Sequence, residues 1–215
     1  AKFIREVENG EIVYIQNDEL ISLKPFPNQK KRPCVFEYIY FSRPDSLIDG
    51  ITAYEYRKRL GSELSKEDKI EADLVVPVPD SGNAAAIGYS QSKNLKFDLG
   101  LIRNHYVGRT FIEPAQKIRS LGVKLKLNAN KSSIKDKVVV LVDDSLVRGT
   151  TSHKIVNMLY DAGAKEVHLR IACPEIKYPD FYGIDMPSKK ELLAANKNLK
   201  EMCKHIQADS LKFLS

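Results

Sequence analysis

The chain has 215 residues, 43% apolar and 29% charged, with 11 glycines and 10 prolines, proportions that exclude a collagen-like, a disordered and a membrane-spanning polypeptide. Its three cysteines, Cys34, Cys173 and Cys203, form no CxxC pair, which argues against a secreted disulfide framework and for a reducing, cytoplasmic setting. The net charge of +6 is local, because residues 103–131 hold seven basic side chains against one acid and the rest of the chain balances; that pattern suits a small, multiply charged anion and no nucleic acid or membrane surface.

The N-terminus, Ala1-Lys2-Phe3-Ile4-Arg5-Glu6, is charged where an export signal would be apolar. Phe3 to Val7 and Ile12 to Ile15 alternate as strands do around Asn9-Gly10, and a turn at Asn17-Asp18-Glu19 leads into Leu20 to Leu23, so a small antiparallel hairpin or meander is predicted. Three prolines between Pro25 and Pro33 mark a linker. The organisation expected is therefore a meander plus linker over 1–33 and one larger domain over 34–215.

Beyond the linker, apolar strands alternate with amphipathic helices, which predicts an α/β fold with a largely parallel sheet flanked by helices. Asp73 to Pro79, Lys137 to Val142 and Glu166 to Ala172 read as buried strands. Residues 152–162 read as a helix closed by Gly163, and Leu199, Met202, Cys203 and Ile206 share a helical face.

Chemistry concentrates at Val138-Val139-Val140-Leu141-Val142-Asp143-Asp144-Ser145-Leu146-Val147-Arg148-Gly149-Thr150-Thr151-Ser152. An apolar strand empties into two carboxylates, and ligands of open α/β sheets collect beyond such strand ends. The small turn that follows opens a helix, whose free N–H groups, with the hydroxyls of Thr150 and Thr151, suit a phosphate monoester. Two acids beside a phosphate pocket are compatible if they meet ribose hydroxyls or a magnesium ion, which prefers one or two carboxylates plus ligand oxygens. The ligand implied is phosphoribosyl pyrophosphate. Taken alone, the acid pair also reads as a solvated turn.

The same arrangement recurs upstream, where Leu74 to Val78 ends in Pro79-Asp80-Ser81-Gly82-Asn83 before a small-residue helix. This turn could hold the pyrophosphate, with Ser81 joining the metal shell, or could simply cap the helix. Arg103 to Pro114 opens the basic stretch and reads either as a surface loop or as a lid carrying Arg109 over a leaving pyrophosphate.

Five segments together resemble the glutamine-dependent amidophosphoribosyltransferase family of purine synthesis: Cys34 to Ser46, Pro79 to Asn83, Tyr106 to Ile112, Asp143 to Ser152, and Phe181-Tyr182-Gly183-Ile184-Asp185-Met186-Pro187. The resemblance implies a type I phosphoribosyltransferase fold and transfer of the phosphoribosyl group to ammonia. It puts Ser81, Asp143 and Asp144 on magnesium positions, and Pro79, Asp80, Ser81 and Gly82 on the pyrophosphate turn. Asp144, Ser145, Leu146, Val147, Arg148, Gly149, Thr150 and Thr151 fall on the ribose and 5-phosphate loop. Tyr106, Arg109 and Thr110 fall on an active-site loop, with His105 beside them. A homo-oligomer and inhibition by purine nucleotides are also implied.

Two departures from the family are expected to matter. Residues 1 to about 27 look like only the last strands of a glutaminase domain, so glutamine hydrolysis is not expected of this chain. Cys34 matches the first ligand of the iron–sulfur cluster that some members carry, but Asp180 stands at the second position, so no cluster is expected. The three cysteines read instead as small buried apolar residues. The alternatives are a non-catalytic sensor of phosphoribosyl pyrophosphate or nucleotides on the same fold, and a nucleobase phosphoribosyltransferase.

Overall fold

The computed structural model describes residues 3–27, 30, 32–104, 106, 127–180 and 188–215. The chain divides into two compact units, Ala1–Cys34 and Val35–Ser215.

The first unit is a hairpin of β1 (Ile12–Gln16) and β2 (Glu19–Leu23), paired antiparallel from Ile12 opposite Leu23 to Gln16 opposite Glu19. Its turn is Asn17-Asp18, both left-handed, as a two-residue hairpin loop requires. Asn9-Gly10 also forms a turn, closed by the Glu11 N–H on the Glu8 carbonyl at 3.1 Å. Phe3 to Val7, however, is not a strand. Side chains tether it in place of a ladder: both Arg5 terminal nitrogens reach the Glu11 carboxylate, at 2.8 and 2.6 Å.

The second unit is built on a five-stranded parallel sheet of β5 (Leu74–Pro77), β6 (Lys96–Phe97), β9 (Val138–Asp143), β10 (Glu166–Ile171) and β11 (Ser210–Phe213), in the order β11-β10-β9-β5-β6. The short pairs β3 (Leu47–Ile48) with β4 (Ile51–Thr52), and β7 (Leu101–Arg103) with β8 (Leu127–Ala129), are antiparallel ribbons outside it. Helices α1 (Ala53–Lys66) and α2 (Asn83–Lys93) precede and follow β5. Later come the single turn α3 (Lys131–Ile134), α4 (Thr150–Asp161), the single turn α5 (Leu193–Asn196) and α6 (Leu199–Ile206).

The buried strands alternate between two apolar clusters, as period-two side chains must. Val139, Leu141, Leu169 and Ile171 join Ile134, Ile155, Leu159, Met202 and Ile206 in one cluster. Val75, Val140 and Val142 join Leu64, Ala85, Ala86 and Tyr89 in the other. The sheet is thus covered on both faces, which explains the nearly unbroken Val/Leu runs read in the sequence.

The three predicted central strands and the two predicted helices are present, with ends displaced by one or two residues. Gly163 lies one residue past the C-cap of α4 in the left-handed conformation. The predicted face of α6 is unevenly buried, and the expectation for the cysteines needs correction. Leu199 is exposed, because it is the first residue of α6 and protrudes beyond the core, whereas Met202 and Ile206 are buried. Of the cysteines only Cys173 is fully buried, while Cys34 and Cys203 are partly accessible.

Candidate functional site

The chain runs from β5 to β6 on one side and, further on, from β9 through β10 to β11 on the other, so the strand order reverses between β5 and β9. Crevices at such reversals, beyond the carboxyl ends of the strands, are where open α/β sheets bind ligands. Both predicted turns leave from this point. Pro77 is the register partner of Val142, and the Val78 N–H donates to the Val142 carbonyl at 2.8 Å.

The turn after β5 is pressed against the end of β9. A Cβ added at Gly82 would lie 2.5 Å from the Val142 oxygen and 2.9 Å from the Val78 oxygen, contacts that no side chain tolerates against backbone. Gly82 donates its N–H to the Val78 carbonyl at 2.9 Å, and the Asn83 N–H closes on the Asp80 carbonyl at 3.3 Å. The Pro79–Asp80 peptide bond is cis. The Asp80 carboxylate forms an ion pair with Arg103 at the end of β7. Among the described residues, only Asn83 Oδ1 and Arg103 Nε are buried side-chain atoms without a hydrogen-bond partner. Both belong to residues at or joined to this turn, where a polar ligand would satisfy a donor and an acceptor.

The turn after β9 is organised differently. Asp143 is the last residue of the strand, and its Oδ1 accepts the Asp144 N–H at 2.9 Å. The Ser145 hydroxyl donates to Asp144 Oδ2 at 2.6 Å. Both acids are buried, and neither forms an ion pair within 4.0 Å among the described residues. Burial, reinforced by the neighbouring Asp144 charge, makes the Asp143 carboxyl hold its proton well above the usual carboxylate range. The same surroundings push the nearby Cys173 thiol up to about 12, through burial first and the two acids second.

The Leu146 side chain packs into the core, 2% exposed, so only its backbone is open to a role at the predicted loop. Arg148 is likewise turned outward, into an ion pair with Glu191, and its guanidinium is committed there. Gly149 is left-handed at φ +75° and precedes α4, whose N-terminus has no side-chain cap. The first N–H groups of α4 therefore start without a side-chain cap, at the exposed residues Thr150 and Thr151.

Of the other predicted residues, Pro79 is half-buried and Ser81 is partly accessible, with no hydrogen bond of its own among the described residues. Tyr106 is fully exposed, and its N–H donates to Asn104 Oδ1 at 3.0 Å. His105, Arg109 and Thr110 lie outside the described residues.

Sequence reasoning missed Arg57. It sits on the buried stripe of α1 with Ala53, Gly61 and Leu64, and a charged residue on an apolar stripe was the available signal. Its Nε and terminal nitrogen donate to the Tyr38 and Ser42 carbonyls, each at 2.8 Å, clasping the π-helical turn Glu37–Phe41. Burial pushes the Arg57 guanidinium below the usual arginine range, and the opposing charge of Asp144 offsets this only in part.

Comparison with known proteins bears on the fold and the family. The chain is 57% identical to an amidophosphoribosyltransferase of Rhizobium etli, covering 100% of the chain and 45% of the relative. It is 50% identical to that of Bacillus subtilis, again over 100% of the chain and 45% of the relative. The chain thus spans about half the length of the curated relatives it matches. A solved structure described as glutamine phosphoribosylpyrophosphate amidotransferase from B. subtilis complexed with ADP and GMP superposes with a TM-score of 0.86 at 50% identity, covering 99% of this chain and 47% of that one. The family model of the phosphoribosyl transferase domain matches residues 53–187, a span that includes both turns and the strands that carry them, and the chain belongs to that family.

Proposed function

We propose that this chain transfers the 5-phosphoribosyl group of magnesium-bound phosphoribosyl pyrophosphate to ammonia, forming 5-phosphoribosylamine and pyrophosphate. The observation that carries the reading is the meeting of two turns at one sheet reversal: a buried acid pair leading into an uncapped helix, beside a glycine turn that ends in unpartnered polar atoms. The N–H groups at the start of α4, with the Thr150 and Thr151 hydroxyls and the Ser145 to Gly149 backbone, take the 5-phosphate. Pro79, Asp80, Ser81 and Gly82 take the pyrophosphate. Asp143 and Asp144 face the ribose hydroxyls between them.

The residues fit magnesium. Asp143 and Asp144 offer hard oxygen donors and lie buried without a partner cation among the described residues, and burial first and the Asp144 charge second raise the Asp143 carboxyl; Ser81 offers a third oxygen. A bound Mg²⁺ supplies neutralisation of the charge shared by the carboxylates and the diphosphate. The chain's own groups do the rest. The turn's backbone N–H groups and Arg109 stabilise the charge that develops on the departing pyrophosphate, and Tyr106 and Thr110 help to enclose it. The ammonia lone pair forms the new C–N bond on the opposite face of the anomeric carbon while the C–O bond breaks, its electron pair leaving with pyrophosphate. The nitrogen then releases a proton to solvent. Because ammonia carries its own lone pair, positioning contributes more than base catalysis.

Residues 1–33 fit the closing strands and linker of a glutaminase domain, and 34–215 the transferase. The ADP and GMP held by the B. subtilis neighbour support purine nucleotides as competitors for this site. The test is pyrophosphate release from phosphoribosyl pyrophosphate with Mg²⁺ and ammonium. Release is expected with ammonium; release only with adenine, hypoxanthine or orotate would overturn the assignment.

A further inference from the structure

We propose that Asn196, with Glu191, is a positioning residue for the 5-phosphate turn, acting through the segment 188–196 and never touching the ligand; this rests on the function proposed above. The Asn196 side-chain amide, one of its two N–H bonds shared, donates to three acceptors, the carbonyls of Lys189, Lys190 and Leu192, at 2.9, 3.2 and 2.7 Å. One amide thereby fixes the turn that delivers Leu193. The Leu193 N–H in turn donates to the Val147 carbonyl at 2.8 Å. Its side chain fills the space behind Gly149, where an added Cβ would meet Leu193 Cδ2 at 2.8 Å. Glu191, from the same segment, takes the Arg148 guanidinium.

Three consecutive residues of the turn, Val147, Arg148 and Gly149, are therefore each held by one element more than 40 residues further along the chain. Leu146 is anchored separately in the core. A turn that offers its peptide N–H groups to a phosphate depends on their common orientation, and the holds from segment 188–196 come through Leu193 and Glu191, in a turn that Asn196 ties together alongside its own backbone hydrogen bonds. The turn Pro79 to Gly82 has no such dependence, since it is seated directly on β9. The strut should accordingly govern one end of the substrate and not the other.

The experiment measures, by calorimetry and by inhibition, the binding of two probes to the whole chain with Mg²⁺: ribose 5-phosphate, which carries only the 5-phosphate end, and inorganic pyrophosphate, which carries only the other. Asn196→Ala is expected to weaken ribose 5-phosphate about tenfold and to raise KM for phosphoribosyl pyrophosphate by a similar factor, with kcat and pyrophosphate binding within about twofold. Glu191→Gln, at an exposed pair that folding does not require, should move the same quantities in the same direction by roughly threefold. It decides the matter if Asn196→Ala does not fold. Equal weakening of both probes, or no change in either, would overturn the strut. Failure of the unaltered protein to bind either probe or phosphoribosyl pyrophosphate would instead overturn the function on which it rests.

Discussion

Two sets of buried carboxylates in the second unit have opposite surroundings. Asp68, in the loop after α1, is met by Arg170 on β10 through Nε and one terminal nitrogen of the same guanidinium edge, with the second contact at 3.2 Å, and by the Tyr89 hydroxyl at 2.6 Å. Burial pushes its carboxyl up, but Arg170 and Tyr89 outweigh that and hold it below the usual range. Asp143 is also buried, has another acid beside it and no cation in ion-pair reach among the described residues, and is pushed the other way. Deeper desolvation beside a second acid, against a guanidinium and a hydroxyl, separates a pair that the fold keeps under electrostatic tension from a carboxylate that braces it. Relief of that tension by a ligand cation is what a binding site would use.

The comparison can be broken most forcefully at Asp68. Asp68→Asn leaves Arg170 charged, buried and without its carboxylate, and is expected to cost about 3–5 kcal/mol in urea unfolding, with magnesium-dependent binding at the acid pair unaltered in the fraction that stays folded. A cost below about 1 kcal/mol would place Asp68 among ordinary surface acids.

Asp144→Asn should lower turnover of phosphoribosyl pyrophosphate with ammonium by about a hundredfold, the scale on which metal-site substitutions act, while leaving stability nearly intact. Wild-type kinetics would remove the residue from the site.

Gly82→Ala tests the seat of the neighbouring turn. Its methyl would be driven into the Val142 and Val78 carbonyls, so a loss of about 1–3 kcal/mol is expected, accompanied by weaker pyrophosphate binding.

The smallest effect has the most informative sign. Asp143→Asn removes an unfavourable buried charge and retains an Oδ1 acceptor for the Asp144 N–H. Without metal or substrate it should raise the melting temperature by about 2–4 °C, the shift that about 1 kcal/mol produces in a chain of this size, even as turnover falls. The pH dependence follows the same division. A lowered folded-state value, as at Asp68, contributes stability that is present above the unfolded carboxylate value of about 3.9 and is lost as pH falls through the folded value. The raised value of Asp143 does the reverse: its penalty is absent below about 3.9 and complete only above the folded value. The metal-free protein should therefore gain stability on mild acidification before losing it in stronger acid, and Asp143→Asn should erase the gain but not the loss.

What the sequence could disclose followed from local patterns. The acid pair was legible because an apolar run ended abruptly in Asp143-Asp144, and the helix after it because Gly149, Thr150 and Thr151 make a small start. Other features required contacts across the chain. Arg170 on its own reads as a strand residue, and nothing near it announces Asp68, 102 positions earlier. Arg148 stands in the turn read as the 5-phosphate loop, and only the fold shows that its side chain pairs with Glu191. Phe3 to Val7 has the alternation of a strand, yet alternation describes which faces are apolar and does not supply a neighbouring ladder.

By itself, then, the sequence determined the order and type of the central elements and the chemical character of the two turns, because hydrophobic periodicity and turn chemistry are properties of adjacent residues. The tertiary structure alone decided which buried charges have partners, which side of the turn after β9 is held and by what, and that two turns separated by about sixty residues of chain leave from one sheet reversal. Those outcomes depend on distances between strands β5 and β9 and their flanking segments, and spacing along a chain carries no information about separation across a sheet.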